Sequence, residues 1–228
     1  MNKLLSIIIP VYNVEKYIER CLDSVMTSES ENYEVILIDD GSTDKSLEIC
    51  QKYEKKFDSI FVFSKKNGGA SDARNFGNTK ASGEYIWYID SDDYITPNAV
   101  NEILDIIKKF KSDVIICKSK KVYDNGTVVD ECQYSIKKGE YSSNEFMNEL
   151  RRNPKSVIFC PQYYIVNKNF IDNNNLYFYK GIIYEDELWI PQLLIKAKRI
   201  YYSDLNIYFH FMRNESVMHS TKLEKMRI

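Results

Sequence analysis

Short apolar runs alternate with helically spaced segments through the first half of the chain, and each run closes on a polar turn. The runs are residues 4–9, 34–38, 60–63, 85–89 and 114–117. They are continuous in apolar residues rather than alternating, so both faces of each strand must be covered. Between them, Tyr17, Ile18, Cys21, Leu22 and Val25 lie at helical spacing, as do Leu47, Ile49, Cys50, Tyr53 and Phe57. Residues 70–80 read as a further helix. Thr96-Pro97 predicts the start of another, with Thr as cap and Pro at the first helical position. This alternation dictates an α/β fold with a mainly parallel central sheet flanked by helices. In such sheets ligands sit beyond the carboxyl ends of the strands.

The second half is less regular. Asp124-Asn125-Gly126 between two extended stretches signals a hairpin. Residues 142–151 and 185–196 read as helices, with Pro191 kinking the second or delaying its start. Residues 157–166 and 200–211 read as strands, and Asp172-Asn173-Asn174-Asn175 as a loop. There is no internal repeat and no Gly-, Pro- or Ser-rich linker, so the 228 residues are expected to form one domain.

Composition narrows the function classes. Hydrophobic residues are 44% of the chain and charged ones 28%, enough for an ordinary globular core. A net charge of −2 gives no global attraction to nucleic acid. The 18 Tyr and 11 Phe suit strands and core as well as ligand clefts. The five cysteines, Cys21, Cys50, Cys117, Cys132 and Cys160, form no C-x-x-C pair, which argues for a reducing compartment and against a disulfide framework or a zinc site. The apolar run at the N-terminus stops at Pro10-Val11-Tyr12-Asn13 and reads as a buried strand, not a leader. No segment approaches the ~20 apolar residues that cross a bilayer, although docking on one is compatible with the chain.

Four polar motifs fall at or just after strand ends: Asn13, Asp39-Asp40, Asn67-Gly68-Gly69 and Asp90-Ser91-Asp92-Asp93. The last is the most informative. Acids packed where a buried strand ends repel one another and are costly to desolvate, so the cluster calls for a counter-cation. Carboxylates at i and i+2 suit a hard divalent ion that keeps positions open for phosphate oxygens. A solvated Asp-rich loop capping the next helix is the plainer alternative.

Asp39 sits where a carboxylate can accept from a nucleobase imide or a ribose hydroxyl, whereas Ser42 and Thr43 are explained as helix caps. Gly68 and Gly69 permit close backbone approach to phosphate at a helix start, and Arg74, one turn in, reaches either a phosphate or base or one of the clustered acids. Tyr184-Glu185-Asp186-Glu187 places acids in a first helical turn, which the helix dipole favours by itself; a carboxylate there can also serve as a general base. His210, Arg213, Ser216 and His219 follow an aromatic strand, and His219 is a candidate third metal ligand.

Taken together, the segments 6–13, 38–44, 67–75, 88–93 and 184–187 resemble, in order and spacing, the inverting glycosyltransferases of family 2, which have the GT-A fold. The resemblance implies a nucleotide-diphosphate sugar donor, with a UDP-sugar favoured, and a Mn²⁺ or Mg²⁺ ion. It implies that Asp92 coordinates the metal and that Asp90 contacts the ribose, or the metal through water. Pro10, Tyr12, Asp39 and Arg74 would hold the nucleotide, with Tyr12 stacked on the base; Asn13, Gly68 and Ser91 complete the candidate nucleotide-binding set. Asp186 would be the general base, with Glu185 its rival. Residues 1–117 would be the nucleotide-sugar-binding half and residues 118–228 the acceptor-binding half. The implied setting is cytoplasmic surface-polysaccharide synthesis, with a glycan or lipid-linked saccharide acceptor and peripheral membrane contact. The chain stops soon after its last motif, as expected of a compact or shortened member. The alternatives are a sugar nucleotidyltransferase, which would carry a Gly-rich basic loop after its first strand, and a non-catalytic nucleotide-sugar-binding module.

Overall fold

The computed structural model describes residues 3–131, 136–153 and 159–212. The first half follows β1 (Leu5–Val11), α1 (Ile18–Val25), β2 (Tyr33–Asp39), α2 (Ser46–Lys56), β3 (Ile60–Ser64), α3 (Ala70–Lys80) and β4 (Tyr85–Tyr88). Next come β5 (Tyr94–Ile95), α4 (Ala99–Phe110), β6 (Val114–Tyr123), β7 (Val128–Asp130), β8 (Gly139–Tyr141) and α5 (Ser143–Arg152). The last elements are β9 (Tyr164–Asn167), α6 (Lys168–Asn174), α7 (Glu185–Lys196) and β10 (Ile200–Met212).

One sheet runs β3-β2-β1-β4-β9-β6-β10-β5, with β7 paired to β6 and β8 to β10. β1 is parallel to both β2 and β4, and β2 to β3. β9 lies antiparallel between β4 and β6, while β6 and β10 are parallel. The continuous apolar runs have their predicted cause: every residue of β2 and β4 is buried, as are Leu5, Ile7, Ile8, Ile9 and Val11 of β1. Burial of one such side chain is worth about 2 kcal/mol. Gly83 lets the loop before β4 lie on β1, since a Cβ there would stand 2.6 Å from the Ser6 backbone nitrogen.

Strand order reverses about β1, with β2 and β3 on one side and β4 on the other. The crevice at the carboxyl ends of β1 and β4 is therefore the switch point where ligands of such sheets bind.

Local differences from the sequence reading have physical causes. The helix expected from Thr96-Pro97 begins at Ala99, because Tyr94 and Ile95 pair with β10 and the Thr96 N–H donates to the Ile207 carbonyl at 3.0 Å. Asp172-Asn173-Asn174 closes α6 rather than forming a loop: the Asn167 side chain caps that helix, and Asn175 ends it in the left-handed region at φ 53°. Within 157–166, strand occupies only Tyr164 onward, because Pro161–Tyr163 form a 3-10 turn; residues 157 and 158 lie outside the described residues. α2 starts at Ser46, so Ser42 and Thr43 are not its caps. The hairpin at Asp124-Asn125-Gly126 forms as read, and α7 runs from Glu185 to Lys196 with Pro191 inside it, so the proline does not delay its start.

Candidate active site

The loop after β1 is knitted to the loop after β2. Asn13 adopts φ 51°, its side chain accepts from the Thr43 N–H at 2.8 Å, and its own N–H donates to the Ser42 hydroxyl at 3.2 Å. Next to it, Tyr12 is 49% exposed, an open aromatic face at the mouth of the crevice. Pro10 is half-buried in β1, in register with Ile38.

Asp39, at the end of β2, is buried; one carboxylate oxygen accepts from the Ser42 N–H at 3.1 Å and the other from the Ser64 hydroxyl at 2.7 Å. Asp40 does work that the sequence reading did not assign. Its carboxylate accepts from Gly68 N–H at 3.0 Å, Gly69 N–H at 2.7 Å and Lys65 Nζ at 2.5 Å. The Gly68 N–H, read as a phosphate donor, is thus directed at a carboxylate of the protein. A Cβ at Gly68 would stand 2.4 Å from an Asp72 carboxylate oxygen, the far end of a side chain that would have to turn aside. Lys65 also pairs with Asp72 at 2.6 Å, and Lys180 reaches Asp72 from the segment before α7.

The acidic turn after β4 is held from several sides. Asp90 accepts from Arg74 Nη2 at 3.0 Å and from the Gln162 amide, and its N–H donates to the Tyr208 hydroxyl at 3.2 Å. Asp93 is buried and accepts from the Tyr208 hydroxyl at 2.5 Å and the Phe211 N–H at 2.7 Å. Burial, reinforced by the charges of Asp92 and Asp90, pushes the Asp93 carboxyl well above its usual range. Ser91 is buried, and Asp92 is half-buried with its carbonyl held by Arg20 at 2.7 Å.

Arg74 connects this turn to the second half of the chain. Its guanidinium is buried, lies over the Phe178 ring at 5.2 Å, and donates from Nη1 to Glu185 at 2.7 Å. Glu185 therefore serves as the anion for Arg74. Asp186 accepts from the Glu187 N–H at 2.9 Å, and its carboxyl is raised above the usual value by burial first and by the Glu185 charge second. Tyr184, just before the acid pair, sits at φ 63°, a left-handed conformation that costs a bulky residue about 1–2 kcal/mol. The segment leading to it is tied to α3, since the Asn75 side chain donates to Phe178 O at 2.7 Å and accepts from Phe178 N–H at 2.9 Å.

The structure thus brings Asp90, Arg74, Glu185 and Asp186 into one connected group, with Asp39, Tyr12 and Asn13 on neighbouring strand ends. Gln162 and Tyr208 complete it and were not singled out from sequence, whereas Asp40 was read as a strand-end acid but given no partner. Gln162 and Tyr208 carry no motif, and only the fold brings them to the turn. His219, with Arg213 and Ser216, lies outside the described residues. Among the described residues no three His, Cys, Asp or Glu side chains are grouped to hold a metal by themselves. Asp90 and Asp92 offer oxygen donors of the kind a hard divalent cation takes, but both Asp90 carboxylate oxygens are engaged by Arg74 and Gln162.

The sequence and the fold both have counterparts among known proteins. The sequence profile described as glycosyl transferase family 2 matches residues 6–173. Glycosyltransferase GlyG of Streptococcus pneumoniae is 30% identical over 228 residues, 96% of this chain and 74% of GlyG. The poly(ribitol-phosphate) beta-glucosyltransferase of Bacillus spizizenii is 41% identical over 126 residues, covering 54% of this chain and 20% of that one. A crystal structure of S. aureus TarS 1–349 in complex with UDP-GlcNAc superposes with a TM-score of 0.80 at 29% identity, over 95% of this chain and 61% of that one.

Proposed function

Because the chain belongs to glycosyl transferase family 2, we propose that it moves a sugar from a UDP-sugar to a hydroxyl of a glycan or lipid-linked saccharide, with inversion at the anomeric carbon. The observation that carries this reading is the Arg74 bridge, which joins the acidic turn of the donor side to the acid pair that opens α7. The TarS structure solved with UDP-GlcNAc supports a uridine nucleotide as donor.

In this reading residues 1–117 hold the donor and residues 118–228 the acceptor. Tyr12 stacks on the base, Asp39 and Asn13 fix the walls beside it, and Pro10 and Ser91 shape the floor. Asp186 takes the proton of the acceptor hydroxyl; the oxygen bonds to the anomeric carbon, and the bond from that carbon to the diphosphate breaks, with the electron pair leaving on the nucleotide. A raised carboxyl pKa favours such a base, since its affinity for a proton is greater than that of an exposed aspartate. A Mn²⁺ or Mg²⁺ ion held by Asp92, with Asp90 beside it, would offset the charge developing on the departing diphosphate.

No helix of the described residues is long and apolar enough to cross a membrane. Cys21, Cys50, Cys117 and Cys160 carry free thiols, which supports a reducing, cytoplasmic setting with peripheral access to a lipid-linked acceptor.

The test is nucleotide release from a panel of nucleotide sugars with and without Mn²⁺. Release from a UDP-sugar that Asp92→Ala abolishes is the expected result. Binding without release, in the presence of candidate acceptors, would instead make the chain a nucleotide-sugar-binding module.

A further inference from the structure

Arg20 belongs to none of the polar motifs. It lies in α1 and touches the acidic turn 72 residues away, donating from Nη2 to the Asp92 carbonyl at 2.7 Å. Its guanidinium lies 4.0 Å from the Phe211 ring centroid and 4.8 Å from that of Tyr94. Both rings are braced, Tyr94 stacking on Phe209 at 4.8 Å and Phe211 packing on Tyr17 at 5.9 Å. The Arg20 Nε is buried without a hydrogen-bond partner, so stacking and the Asp92 carbonyl set the plane of the group. The Phe211 N–H in turn donates to Asp93 at 2.7 Å, so this aromatic box and the turn share a wall.

A turn with three carboxylates opens under its own repulsion unless cations and donors hold it. Arg74 holds it by the Asp90 side chain. Arg20 holds the other end by the main chain of Asp92, and so fixes the backbone from which that carboxylate projects.

We propose that Arg20 is a positioning residue for the acidic turn, setting the orientation of Asp92 toward the donor diphosphate through the Asp92 carbonyl and the Tyr94–Phe211 box. This rests on the reading of Asp92 as the carboxylate that faces the donor. The box explains why arginine is required. A lysine at this position keeps the charge but neither lies flat between two rings nor donates in the plane of a stacked group.

The experiment compares wild type with Arg20→Lys and Arg20→Met. Calorimetric binding of UDP in the presence of MnCl₂ is read beside the thermal unfolding midpoint and the KM and kcat for release of UDP from UDP-GlcNAc. UDP–Mn²⁺ affinity is expected to fall about 10–100-fold in Arg20→Lys, the range seen when a partner behind a ligand is lost. KM for the donor should rise with it, and the unfolding midpoint should stay within a few degrees. Arg20→Lys that binds UDP–Mn²⁺ as wild type does overturns the proposal, even if Arg20→Met fails to fold. A wild type that binds no UDP with Mn²⁺ and releases none overturns the donor reading as well, whereas an active wild type matched by Arg20→Lys overturns only the role of Arg20.

Discussion

Arg74 and Glu185 form an ion pair at 2.7 Å across 111 residues of sequence, and Arg74 reaches Asp90 with its other terminal nitrogen at 3.0 Å. One buried cation therefore locks the acidic turn to the first residue of α7. On the proposed mechanism this lock would set the position of Asp186 relative to the donor. Arg74→Met leaves Glu185, only 17% exposed, as an unpaired charge. The unfolding free energy should fall by about 3 kcal/mol, measured by urea denaturation. Arg74→Lys should retain more of the stability but lose donor-dependent turnover, because an ammonium does not span two carboxylates in a fixed plane.

The proposed mechanism divides the work of the acid pair, and the division is measurable. Asp186→Asn should lower kcat by about 10²–10⁴-fold while KM for the donor stays within about threefold, as expected for a base that acts after binding. Glu185→Gln still offers Arg74 an acceptor and should be the milder change. The two also differ in pH dependence. A base must be deprotonated, so the rate rises with pH through the raised Asp186 value, and part of that rise comes from the Glu185 charge. Removing this charge in Glu185→Gln should move the acid limb of the kcat profile to lower pH. An unmoved limb would separate the titrating base from Asp186.

The parallel strands β1 to β4 and their helices were legible because periodicity reports burial: β2 and β4 are buried along their whole length, and β1 everywhere but at Pro10. The strand-end position of the acids was legible for the same reason. Which partner each acid takes was not. Asp39 and Asp40 are adjacent and chemically identical, yet Asp39 faces Ser42 and Ser64 while Asp40 faces the glycine loop. Alternation of side-chain direction at a strand end decides this, and the register comes from pairing with β1 and β3. Gln162, in the turn that leads into β9, and Tyr208 of β10 reach Asp90 because long-range pairing that no local pattern encodes sets the place of those strands in the sheet.

Asp40 leads to a prediction opposite to that for a ligand-binding acid. Its carboxylate satisfies the Gly68 and Gly69 N–H groups and Lys65, and is almost fully buried. Asp40→Ala leaves these donors facing an empty space. The folded state should lose about 2–4 kcal/mol, because removing the acceptor strands both amides, while Lys65 keeps its pair with Asp72. Hydrogen exchange should speed up at residues 67–70 ahead of the rest of the sheet. Unchanged exchange in that loop, with nucleotide affinity lost instead, would move Asp40 into the binding site.

The Glu131–His210 contact, at 3.3 Å, predicts a pH window for stability. Burial works to raise the Glu131 carboxyl, but hydrogen bonds from His210 and Tyr163 outweigh it and bring it down to about 2. Burial works to lower the imidazole, but the bond to Glu131 and the Asp93 charge outweigh it and raise His210 to about 9. The depressed acid contributes fully above its ordinary 4.5 and loses that contribution as pH falls through about 2. The raised base contributes fully below its ordinary 6.5 and loses it as pH rises through about 9. The pair is therefore at full strength between about pH 4.5 and 6.5. His210→Gln should lower the unfolding midpoint most in that interval, and the gap from wild type should narrow through pH 9. A gap that stays constant from pH 5 to 10 would show that His210 is held there by packing alone.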